Sequence, residues 1–168
     1  MIRKSSPSMR TRSAVLPLLL VCACSFFVPD TRTAADRARE VSPRCQGFTE
    51  QAAAPLLSAG AIDSVEPAYS YVQSGPGDRQ ARLRGARIHL KPIAALSRES
   101  IARSLECHES RFLLGTAPPV ADDPYALAGQ WLDIDVDSEK DGFVVRVQTD
   151  DSPAARETLE RAKRFAAR

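Results

Sequence analysis

Cys107 and His108 are the adjacent pair in this chain whose side chains could do chemistry. A thiol and an imidazole can make a nucleophile with its base, or two ligands of a metal. Adjacency argues against the first. Neighbours on a helix diverge by about 100°, so the imidazole would not face the thiol. No Asp or Asn is placed by a motif to orient it. A metal site from Cys45, Cys107 and His108 lacks a fourth ligand, since the chain holds no Cys-x-x-Cys and no His-x-x-x-His. Cys107 and His108 are weak metal candidates. His108 is better read as a partly buried histidine on a core stripe, hydrogen-bonded to backbone. No catalytic residue and no cofactor is expected.

Two further constellations invite chemistry. Asp133, Asp135 and Asp137 have the spacing that opens a calcium loop. Ser138 stands where that loop needs its turning glycine, and Val144 where it needs Glu. The alternation fits a strand face instead. Arg87, His89, Lys91 and Arg146 would share the helix-free face of a sheet, beside those aspartates. A solvated, salt-bridged face is the plain expectation. A ligand or partner surface is the other, with Tyr69, Tyr71 and Trp131 as aromatic anchors.

The redox state of Cys45 and Cys107 depends on compartment, and the first residues speak to that. Arg3, Lys4, Arg10 and Arg12 precede the apolar run Ala14–Val21, which breaks off at Cys22-Ala23-Cys24. A basic head, a short apolar centre and a small-residue exit make an export signal over residues 1–24. Met9 serves as well as Met1 for its start. From Ala14 to Val28 the run is shorter than the roughly 20 residues of a membrane span, and Pro17 interrupts it. Val21-Cys22-Ala23-Cys24 resembles a bacterial lipobox, with Cys24 as the acylated residue and Cys22 an imperfect occupant of the middle position. Ordinary cleavage after Ala23 or Ala35 is the alternative. The product is outer-membrane-anchored or periplasmic. In either oxidising compartment Cys45 and Cys107 are expected to form a disulfide.

The signal holds four of the 23 basic residues and none of the 21 acidic ones, so the net charge of +2 becomes −2 without it. No basic stripe remains for phosphates, and nucleic acid is not an expected partner. The roughly 144 residues after Cys24 suffice for one domain.

Positioning elements can be read from periodicity. Residues 25–60 read as a tether and a loosely structured region, with a helical turn or two near Thr49–Leu57. Residues 61–73 and 81–92 read as strands around the loop Ser74–Asp78. Ser97 caps a helix with the stripe Ile101, Leu105, His108 and Phe112, stopped near Gly115. Residues 116–130, with three prolines, read as a surface connection. Residues 132–137 and 143–149 alternate around Asp141-Gly142, a two-residue turn that pairs Val136 with Val147 and Asp137 with Arg146. Gly142 would need positive φ there, with Asn its mildest replacement. Ser152 caps a last helix with Pro153 at its first position.

The order is strand, strand, helix, strand, strand, helix over residues 61–168. That predicts an α+β two-layer sandwich: a four-stranded, mostly antiparallel sheet with two helices on one face. The ββαββα connectivity is a permuted ferredoxin-like arrangement, with 86–92 and 143–149 as central strands, expected to run parallel.

Cys45-Gln46-Gly47, Ile62-Asp63-Ser64-Val65-Glu66-Pro67, Leu105-Glu106-Cys107-His108 and the C-terminal hairpin and helix resemble uncharacterised exported proteins of GC-rich bacteria, lipoproteins among them. The resemblance covers residues 45–165. It implies no activity, only that Cys45, Cys107 and His108 form a unit.

The expectation is a non-enzymatic binding or structural module of the cell envelope, meeting an envelope protein or small ligand and attached to membrane through a lipid at Cys24. The alternative is a metal- or redox-responsive envelope protein using Cys107 and His108. Metabolic palmitate labelling should mark the protein, and Cys24→Ser should abolish the label. An unlabelled mature chain beginning at Asp36 would overturn lipidation and leave export standing.

Overall fold

The computed structural model describes residues 32–75 and 77–168. The expected export signal 1–24, Cys24 and the start of the expected tether lie outside the described residues. No helix among the described residues is long and apolar enough to cross a membrane.

Residues 33–60 are more structured than their composition predicts. Thr33 caps helix α1 (Ala34–Val41) through a reciprocal box: its Oγ1 accepts from the Asp36 N–H at 3.2 Å, and Asp36 Oδ2 accepts from the Thr33 N–H at 3.1 Å. A 3₁₀ turn (Ser42–Cys45), the short helix α2 (Glu50–Ala53) and a second 3₁₀ turn (Ala59–Ala61) follow. Ala38, Ala53 and Leu56 are fully buried. One or two anchors per segment are too sparse to show as periodicity, so tertiary contact supplies the order. Cleavage after Ala35 would remove the Thr33 cap.

Four strands form one sheet in the order β1 (Ile62–Gly75), β2 (Asp78–Leu90), β4 (Gly142–Gln148), β3 (Asp133–Glu139). Every neighbouring pair is antiparallel, the central β2–β4 pair included, which corrects the expected parallel pairing. The connectivity explains the correction. The crossover through α3 (Arg98–Leu113) returns the chain to the end where β2 began, so β3 runs with β2. β4 is the return limb of a hairpin and runs against both.

Rows across the sheet follow from the register. Pro67, Ala86, Val147 and Ile134 make one row, and Val65, Ile88, Val145 and Val136 the next. Ala86, Ile88, Val145 and Val147 are fully buried and share one core with Ile101 and Leu105 of α3 and Leu159, Ala162 and Phe165 of α4 (Ser152–Ala166). Both helices therefore cover the same face, the expected α+β two-layer arrangement.

Three local expectations shift. Ser97 caps α3 as predicted, with Ser100 closing the box. The cap of α4 is Asp151, one residue before Ser152; its Oδ1 accepts from the Ala154 N–H at 2.8 Å. The connection after α3 is not purely superficial: Asp123 to Leu127 is buried, with Tyr125 wholly inside the core.

The β3–β4 hairpin turns on Lys140-Asp141, because Glu139 pairs with Gly142. Val136 thus faces Val145 and Asp135 faces Arg146, a two-residue shift from the predicted partners. A shift of two preserves which side chains face the core, so the amphipathic pattern alone could not distinguish the registers.

Gly142 stands at φ +150°, where an added Cβ would lie 2.0 Å from the Leu90 carbonyl oxygen. Gly85 closes the other end of the β2–β4 pairing, and its Cβ would lie 2.1 Å from the Val147 oxygen. Both obstacles are backbone, so any side chain meets them. Asn at 142 is therefore no milder than Val. Each of Gly142→Asn, Gly142→Val and Gly85→Ala should cost on the order of 3 kcal/mol in urea unfolding. A Gly142→Asn protein as stable as the parent would refute this close approach.

Candidate functional site

Cys107 and His108, which sequence reading singled out, share one turn of α3 with Glu109 and Ser110, which it did not. Cys107, His108, Glu109 and Ser110 are each 1% exposed or less. Four successive helical residues point in four directions, so this turn is enclosed all round. Each polar side chain then needs its own partner.

Cys107 bonds Cys45, with the two Cα atoms 5.5 Å apart and a sequence separation of 62. Closing a loop of that length stabilises the fold by about 4 kcal/mol in the chain-entropy description. The bond leaves no thiol at either position for catalysis or metal binding. Among the described residues no group of three His, Cys, Asp or Glu side chains is arranged to hold a metal ion.

His108 is bonded on both ring nitrogens, and to carboxylates rather than to backbone as predicted. Nε2 lies 2.7 Å from Asp123 Oδ2, and Nδ1 lies 3.3 Å from Glu50 Oε2. Asp123 also accepts from the Tyr125 N–H at 2.9 Å, and Arg111 Nε sits 3.3 Å from Glu50. Burial pulls the imidazole down, but the hydrogen bond and charge of Asp123, joined by those of Glu50, outweigh it and hold its pKa above the ordinary value. Once protonated, the imidazolium can donate to both carboxylates. Asp123 and Glu50 have no sequence signal that marks them as its partners.

Ser110 Oγ donates to the Ala38 carbonyl at 2.8 Å, and Glu109 Oε1 accepts from the Leu132 N–H at 2.6 Å. The second Glu109 oxygen has no partner among the described residues. Burial pushes this carboxyl well above its ordinary range; the Leu132 bond opposes that shift, while Asp133, Asp123 and Glu106 add to it. These groups could exchange protons, but His108, Asp123 and Glu109 are shut away from any substrate. Their geometry suits a hub joining α1, α2, α3, the buried connection and the start of β3.

The proposed cationic face is internally compensated. Arg87, His89 and Arg146 share the face away from the helices. Arg146 pairs with Asp135 and, at 2.5 Å, with Asp137. His89 lies 3.3 Å from Glu139 and 3.7 Å from Glu66. Arg87 stands between Glu66 and Arg146 in register, and its buried Nε has no partner among the described residues. Lys91 lies past the end of β2 and donates to the Gly60 carbonyl at 3.0 Å. These four residues do not make one open cationic site. The three aspartates of β3 stand at alternate strand positions, and two of them serve Arg146.

A different surface is exposed. β4 pairs with β2 only from Gly85 onward. The β1–β2 hairpin continues past that point as a two-stranded ribbon from Tyr69 and Leu83 to Gly75 and Asp78. Tyr69, Tyr71 and Val72 lie on it, 51%, 71% and 49% exposed. Trp131 sits apart from them, just before β3.

Comparison with known proteins finds no matching family model, no matching curated protein and no matching solved structure.

The hub gives stability a defined pH dependence. A raised His108 pKa contributes stability that is whole below the ordinary value of 6.5 and fades as pH rises through the folded value. Glu109 acts in the same direction, because above its ordinary 4.5 the unfolded chain ionises first. Asp123→Ala should cost about 3 kcal/mol near pH 6, and less as pH rises. Glu109→Gln should flatten the decline of stability as pH rises above 4.5. Urea titrations across pH measure both, and a pH-independent Asp123→Ala penalty would refute the charged hub.

Proposed function

We propose that this is an exported envelope protein without enzymatic activity, a binding module that meets a protein partner through the projecting β1–β2 ribbon. The observation that carries this reading is the ribbon itself, which holds Tyr69, Tyr71 and Val72 away from the core that buries comparable side chains elsewhere. Tyrosine supplies large, rigid contact area at low entropic cost, which suits protein contact.

Export is inferred from the basic, apolar and small-residue segments of the first 24 residues. It is supported by the Cys45–Cys107 bond, which persists in oxidising compartments and is rare in reducing ones. A lipid on Cys24 would attach the chain to a membrane with the tether between them. A metal- or redox-responsive role through Cys107 and His108 would first need reduction of a bond whose Cys107 end is 1% exposed.

Replacing Tyr71 with a photoreactive phenylalanine in the producing cell tests the reading. Irradiation should give a protein adduct from position 71 and none from Arg156, an exposed residue of α4. No adduct at 71, or equal adducts at both, would overturn it.

A further inference from the structure

The sheet has two edges, β1 and β3, and they are guarded differently. An edge strand presents unpaired N–H and C=O groups, and charge, proline, bulges or shortness prevent another strand from adding to it. β3 has seven residues, of which Asp133, Asp135, Asp137 and Glu139 are acidic. β1 has 14 residues in two contrasting halves. The half along the body carries Asp63, Glu66, Pro67 and an irregularity between Ile62 and Ser64. The half on the ribbon, Ala68-Tyr69-Ser70-Tyr71-Val72-Gln73-Ser74-Gly75, carries no charge and no proline, and its pairing with β2 shifts register between Ala68 and Tyr69 and between Gln73 and Gly75.

Resting on the reading of the ribbon as a protein-contact element, we infer that its partner is a second copy of this chain, added antiparallel along β1 about Ser70. Such a pairing is isologous and closes as a two-fold dimer. It sets Tyr69 against the second copy's Tyr71, Ala68 against its Val72, and Pro67 against its Gln73. With the pairing already present inside each chain, an apolar row forms across four strands: Ala81, Tyr71, then Tyr69 and Leu83 of the second copy. The row occurs twice by symmetry, and Leu83 already packs against the core of its own chain. The exposed tyrosines thus extend two existing cores.

Charge selects this direction. Antiparallel pairing sets Glu66 of each copy against the partner's Ser74 and carries Asp63 past Gly75, the end of the partner's β1. In-register parallel pairing would set Glu66 against Glu66, which is unfavourable. Shape agrees, because each ribbon would run along the body half of its neighbour and the two bodies would lie at opposite ends. The result is a continuous eight-stranded sheet with β3, the charged edge, at both margins.

Sedimentation velocity over a concentration series, with amide exchange read by mass spectrometry, tests this on the protein purified from its producing cell. The expected result is a reversible dimer in which amides of residues 68–73 gain protection with concentration. Tyr71→Asp and Val72→Asp, both at exposed positions, should each weaken the dimer roughly tenfold or more while leaving the Cys45–Cys107 bond intact. A monomer at every concentration overturns the inference, as does a dimer that leaves 68–73 unprotected or survives both substitutions unchanged. A monomer with 68–73 already protected overturns it in favour of cover by the same chain. If position 71 forms an adduct with a different protein while the purified chain stays monomeric, the binding role stands and self-pairing falls.

Discussion

Enclosing four consecutive polar residues in one helical turn is the constraint on which this domain depends. An amphipathic helix ordinarily buries one stripe and exposes the rest. From Cys107 to Ser110, α3 has no exposed side. Every polar group there costs free energy unless it is paired. The pairs radiate outward: Cys45 before α2, Glu50 within it, Ala38 in α1, Asp123 in the connection, and Leu132 at the entry to β3. Segments with too few apolar residues to order themselves are thereby held to the core.

The same constraint separates reactive-looking chemistry from function. His108 flanked by two carboxylates, a cysteine beside it and a raised glutamic acid after it would suggest catalysis if they opened on a cleft. His108, Glu109 and Asp123 are each 1% exposed or less, and the disulfide takes the thiol away. Their consequence is mechanical: the layer covering α3 is tied down by one covalent bond and several charge-assisted ones. A rigid body of this kind can hold the projecting β1–β2 ribbon in a fixed direction.

The free sheet face and the sheet edges divide the remaining surface. On the face, Arg146 and His89 are met by carboxylates of β3 and β1, so charge there is spent within the molecule. At the β3 edge, alternate acidic residues oppose strand addition. Among the described residues, the ribbon half of β1 combines exposed apolar side chains with a strand edge that carries no charge and no proline. Whatever the protein meets through backbone pairing is most economically met there.

Much of the architecture was legible in the chain because it rests on local rules. Alternation over 86–90 and 132–149, Ser97 before an apolar stripe, and a two-residue turn near Gly142 specify four strands and two helices, and the two-layer packing follows. The Cys45–Cys107 bond could be anticipated because only two cysteines follow Cys24. Register was less accessible, because a two-residue slip keeps every side chain on its proper face. The partners of His108 were not legible at all. Glu50 lies 58 residues away and Asp123 lies 15 away, on segments whose patterns suggested tether and surface loop. Local periodicity records which face of an element is apolar. Only tertiary packing, by closing a second layer over the polar side of α3, decided that those residues had to be buried and therefore paired.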